Sequence, residues 1–101
     1  MKTKRLIRDV FRNTVFERDN HTCRKCNKKH VNLDAHHITD RNEMPNGGYV
    51  KENGISLCSD CHIKAEQYHI GNVVENGFSP TDLYKLICST YDKAYQSSLK
   101  I

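Results

Sequence analysis

The sequence predicts a small α+β domain held by a cysteine staple, and three observations carry that expectation. The chain has 101 residues, of which only 37% are hydrophobic. Its cysteines recur as two doublets, Cys23-Arg-Lys-Cys26 and Cys58-Ser-Asp-Cys61. Helical spacing of apolar residues near both ends brackets a central stretch in which they alternate. A chain of this length reads as one domain, residues 1–101, with its core at about 5–69 and a C-terminal helical segment at about 79–98. Such a domain buries a small fraction of its surface and benefits from a cross-link.

The elements follow in order. Leu6, Val10, Phe11, Thr14 and Val15 fall at helical spacing, which predicts a helix over 5–18 ending at Asp19-Asn20. Arg5, Arg8, Arg12 and Arg18 lie between them, as either a solvated face or a phosphate-contacting one. From Val31 to Ile38 the chain alternates. Val31, Leu33, Ala35 and His37 share one side of a predicted strand, while Asn32, Asp34 and His36 share the other. Pro45, Gly47 and Gly48 mark residues 39–52 as a loop, and Ile55-Ser-Leu57 is a second short strand. Ser59 and Asp60 suit the cap of a helix running to about His69. Gly71 to Gly77 is a connector. A single final helix then opens at Ser79-Pro-Thr-Asp82, with Ser79 as cap and Pro80 in the first helical position. Leu83, Leu86, Ile87, Tyr91, Ala94 and Tyr95 form its packing stripe, with Cys88 at the core or its edge.

The doublets have metal-ligand spacing rather than that of a secreted disulfide framework. Four thiolates close one tetrahedral Zn²⁺ site, at Cys23, Cys26, Cys58 and Cys61, and leave no open position for activating water. The ion would therefore be structural. Cysteines used this way fit a reducing cytoplasm. No apolar run approaches the roughly 20 residues of a membrane span, and Met1 to Arg8 lacks the apolar stretch of a secretion signal. A net charge of +4 is compatible with a polyanionic partner.

The histidines remain. Leu33-Asp-Ala-His36-His37-Ile38 lies between the doublets, Asn53-Gly-Ile-Ser-Leu57 precedes the second, and His62 follows it directly. Taken alone, the pair His36-His37 reads as surface histidines on a zinc-stabilised hairpin. With Asn53 and His62 at these spacings, the chain resembles a phage-like HNH endonuclease of the cysteine-bearing type, across about residues 5–69. The resemblance implies a ββα-metal core with a structural zinc, flanked by an N-terminal and a C-terminal helix. It implies His37 as the general base, Asn53 as the brace of the loop carrying that base, and His36 and His62 as ligands of a catalytic divalent ion. Many relatives carry another histidine four residues after the His62 position. Here that residue is Glu66, which shares a helix face with His62 and leans the ion towards Mg²⁺ or Mn²⁺, with Ni²⁺ or Zn²⁺ as alternatives. Asp34 stands on the His36 side of its strand, as a metal-shell residue or a solvated carboxylate. His21, His30 and His69 match no role in the resemblance.

The activity implied is hydrolysis of DNA phosphodiester bonds, with double-stranded DNA as partner and Arg24, Lys25, Lys28, Lys29, Arg41 and Lys64 as candidate backbone contacts. No separate specificity module is evident, so target recognition would fall to a protein partner or an oligomer. Phage-type members of this length act in packaging, mobile elements or restriction, which would place the chain in a host cytoplasm. The rival reading is a non-catalytic zinc-stabilised DNA-binding module, and a third is a zinc knuckle that binds protein.

Overall fold

In the computed structural model, which describes residues 3–101, the chain opens with helix α1 (Lys4–Arg18). Met1 and Lys2, the start of the charged N-terminal stretch, lie outside the described residues. The Thr3 hydroxyl accepts from the Leu6 amide and caps α1. Of the predicted stripe only Phe11 and Val15 are buried, whereas Leu6 and Val10 are exposed. The sheet beneath α1 has two strands, and Phe11 and Val15 are the stripe residues that it buries, while Ile7 is half-buried.

Strands β1 (Leu33–His37) and β2 (Gly54–Cys58) form an antiparallel pair, with His36 opposite Ile55 and His37 opposite Gly54. Every residue of β2 is buried. Gly54 is required here by proximity: an added Cβ would come within 2.5 Å of Val15 and 2.7 Å of the Phe11 ring. On the other side, Ile55 and Leu57 join Ile38, Met44, Ala65, Phe78, Leu83 and Ala94 in the core. The loop between the strands is built from three short 3₁₀ turns, Arg41–Glu43, Pro45–Gly48 and Lys51–Asn53.

Helix α2 (Ser59–His69) follows β2 without a break. Its N-cap is Cys58, so Ser59 and Asp60 occupy its first turn rather than capping it. The predicted single C-terminal helix is two, α3 (Pro80–Leu86) and α4 (Tyr91–Ser98). Cys88 takes φ 54°, while the Cys88 and Ser89 amides donate to the Lys85 and Tyr84 carbonyls. That is a Schellman stop, and Thr90 then caps α4 through the Lys93 amide. The break rotates Tyr91 and Tyr95 to the surface, and Cys88 is exposed rather than in the core.

No described helix is long and apolar enough to cross a membrane.

Candidate active site

The four doublet cysteines converge. Their sulfurs all lie within 4.8 Å of one another, a cluster compatible with a tetrahedral zinc site. Cys23 and Cys26 sit on a turn closed by the Cys23 amide donating to Lys28 O and the Asn27 amide donating to Cys23 O. Asn27 takes the left-handed conformation that such a tight turn needs, at φ 64°. Cys58 and Cys61 come from the start of α2, where the helix end favours negative charge. Burial works against ionising Cys23, yet amides from Cys26, Cys58 and Lys25 outweigh it and bring its thiol down to about 7. Burial, with the neighbouring sulfurs, pushes Cys61 up instead. Four thiols this close need a cation before all can ionise.

A second cluster lies further along the same helix. Because side chains alternate along β1, the adjacent histidines leave the strand on opposite faces. His36 points towards α2 and is buried, within reach of His62 and Glu66. One ligand atom from each of the three lies within 4.8 Å of the others. Glu66 Oε1 stands 3.1 Å from His36 Nδ1 and 3.3 Å from His62 Nε2. The His36 contact is close without hydrogen-bond geometry, so both ring nitrogens of His36 are buried and unpartnered. Buried polar atoms left this way are rare and call for an explanation such as a bound ion. Burial, then the nearby His62, His69 and His37, lowers the His36 pKa to about 3. The ring is therefore neutral at physiological pH, the form in which imidazole binds metal. These residues fit a divalent cation.

Asp34 completes the group. His62 Nδ1 donates to Asp34 Oδ2 at 3.1 Å, which leaves Nε2 for the cluster. A carboxylate behind a metal-binding histidine fixes its tautomer and aim. His69 is also part of the site, although the sequence reading gave it no role. Its Nε2–H donates to the His37 carbonyl at 3.1 Å, and its ring centroid lies 5.3 Å from that of His36. The available signal was its spacing of seven residues from His62 on one helix face.

His37 faces α1. Its ring stacks on Phe11 at 4.5 Å and meets Tyr49 edge-on at 4.8 Å, which fixes its plane. Burial, then the Arg41 charge, lowers its pKa to about 4. The ring lines an open cleft of ≈ 630 Å³ that also includes His62 and Asp34.

Asn53 is fully buried and holds the chain just beyond His37. Its Oδ1 accepts from the Thr39 amide at 3.0 Å, while its Nδ2 donates to Thr39 O and Gly48 O. Gly48 sits at φ 67°, and a Cβ there would come within 2.6 Å of Asn53 Nδ2. Tyr84 on α3 donates to Asn53 Oδ1 at 2.8 Å and contacts Thr39 Oγ1 at 2.6 Å. Burial pushes the Tyr84 phenol up to about 12, so it stays a donor. Tyr84 fell outside the predicted stripe because α3 buries two neighbouring residues, Leu83 and Tyr84, and the phenol is held by polar partners on distant segments.

Residues 22–67 match the family model for HNH endonucleases. Over this segment the chain is similar to HNH endonucleases. The segment contains both ligand clusters, and its strand–strand–helix unit is the ββα-metal fold of that family. No curated protein and no solved structure matches the chain.

Several charges assigned to backbone contact serve the HNH fold itself. Arg24 pairs with buried Asp19 and donates to Leu86 O. Arg18 also pairs with Asp19 and donates to the carbonyls of Lys51 and Gly54. Lys25 and Lys64 both lie over the Phe78 ring, and Lys64 pairs with Glu75. Lys28 and Lys29 are exposed on the knuckle, and Arg41 lines the cleft.

Proposed function

We propose that the protein is a metal-dependent endonuclease that hydrolyses phosphodiester bonds of double-stranded DNA. The observation that carries this reading is the convergence of His36, His62 and Glu66 on one point, next to a ring-stacked His37 that lines an open cleft.

The residues have distinct tasks. His37 is neutral at pH 7 and takes a proton from water, and the resulting hydroxide attacks phosphorus. Cleavage of the bond to the 3′ oxygen, which takes up a proton from solvent water, leaves a 5′-phosphate and a 3′-hydroxyl. His36, His62 and Glu66 would hold one divalent ion, Mg²⁺ or Mn²⁺, which when bound would supply relief of the charge that builds during hydrolysis. Asp34 aims His62. Asn53, joined by Tyr84, holds the backbone after His37, and His69 holds its carbonyl. The thiolate cluster holds Zn²⁺ as a structural element. The family's members act on DNA, and the basic cleft suits that substrate.

Supercoiled plasmid incubated with Mg²⁺, Mn²⁺ or Ni²⁺ tests the proposal. Nicking by the parent chain is expected, with His37→Ala reducing the rate by at least about 100-fold, the usual scale for loss of a general base. Zinc content and DNA affinity of that variant should be unchanged. Equal nicking by parent and variant would refute the assignment. Duplex binding without nicking under any of the ions would instead indicate the non-catalytic module.

A further inference from the structure

The cleft lined by His37 and His62 extends beyond the HNH segment. Its opposite wall is α1, which lies before residue 22, and there it presents Arg5, Arg8 and Arg12, with Arg41 closing one side. All four side chains are exposed. Phe11 sets the rotation of this wall. Its ring is stacked on His37, and Arg8 and Arg12 stand three residues before it and one after.

These arginines differ from the rest of the basic residues near the core. Arg18 and Arg24 are spent on Asp19 and on backbone carbonyls. Among the described residues, Arg12 on α1 has a 3.7 Å contact to Asp9, with both side chains about half exposed. Arg8 reaches the Lys4 carbonyl, at 3.4 Å. Arg41 donates to the Tyr49 hydroxyl at 3.2 Å. Asp9 and Asp34 are the carboxylates in the lining, and Asp34 is turned to His62. Like charges three and four residues apart on one helix face repel one another. Among the described residues these contacts are few and exposed, so the fold gains little from them.

We infer that the arginine face of α1 is the seat of the DNA backbone, gripping the phosphates that flank the scissile one. This rests on the endonuclease reading. From Arg5 to Arg12 the helix rises about 10 Å, or about three phosphate steps of one duplex strand. A guanidinium fork matches phosphate oxygens in pairs, which lysine does not. The HNH segment supplies the chemistry, and the helix before it supplies the grip.

The test is anisotropy of a short labelled duplex over a salt series, without added divalent ion so that no strand is cut. Arg5→Gln/Arg8→Gln/Arg12→Gln should bind at least about tenfold more weakly, and its log–log salt slope should flatten by about 2–3, near 0.9 per lost phosphate contact. Lys85→Gln/Lys93→Gln, exposed on α3 and α4 and outside the cleft lining, should retain parental affinity within about twofold, since no phosphate contact is lost there. Parental affinity and slope in the triple variant would overturn the inference. Equal losses in the two variants would also overturn it, since bulk charge and not the cleft wall would then set affinity. A parent chain that prefers single-stranded RNA would overturn the duplex assignment. If the parent neither binds nor nicks duplex DNA, the endonuclease reading fails and this inference with it. Nicking by the parent alongside indifference to the arginines would sink this inference alone.

Discussion

At Asp19 one buried carboxylate accepts from the Arg18 Nε and Nη2, from Arg24, and from the Ser56 amide at 2.9 Å. It ties the end of α1 to β2 and to the first cysteine knuckle. Removing it would leave two guanidinium groups and an amide facing an apolar gap. Asp19→Ala should therefore cost about 3 kcal/mol, at the low end for a broken buried pair because both arginines keep some contact with water. Urea denaturation of the zinc-loaded protein measures it, and a loss below about 1 kcal/mol would show the clamp to be dispensable. This role was hidden in the sequence, where Asp19 reads only as a helix end and Arg24 as one more surface charge. The partners lie 37 positions apart in the case of Ser56, and nothing local encodes them. The opposite faces of His36 and His37, by contrast, were legible, because the period of a strand is two residues whatever surrounds it. His69 was missed because its partner is a backbone carbonyl on another element, and a carbonyl has no signature in sequence.

The break between α3 and α4 shows how an element boundary escapes a pattern. Leu83, Leu86, Ile87, Tyr91, Ala94 and Tyr95 keep helical spacing straight through it. A left-handed residue usually signals itself as glycine, but position 88 holds cysteine at φ 54°. The remaining signal was Thr90 followed by Tyr-Asp-Lys93, a second cap of the kind Ser79 provides for α3. Cys88→Gly should relieve the conformation and raise stability by about 0.5–1 kcal/mol, and Cys88→Val should lower it. Thermal melts of both variants in reductant check the prediction, and a destabilised glycine variant would contradict it. The first helix, the two strands and α2 were legible to within a few residues, because each carries its own period and boundary residues. The extent of burial along α1 was not, since it depends on the sheet beneath.

Over the whole molecule, the four-cysteine cluster joins the first knuckle to the β2–α2 junction. The knuckle contributes Cys23 to the core, and the β2–α2 junction contributes Cys58 and Cys61. With so little hydrophobic sequence, the fold depends on that junction. Removing zinc with a strong chelator, or Cys58→Ser, should abolish the cooperative melt, because metal binding and folding are one equilibrium in domains of this kind. Far-ultraviolet circular dichroism and the melting transition report it, and an unchanged Tm without zinc would disprove the dependence. The need for such a staple could be read from composition and the paired cysteines before any geometry was known.

Helix α2 has one more consequence. Cys58 begins it, Cys61 and His62 are consecutive on it, and Glu66 lies one turn later. On the proposed reading, scaffold ion and reaction ion would hang from a single lever, and a tilt that suits the sulfurs would also swing the imidazole. Swapping the ion in one cage would then be felt at the other.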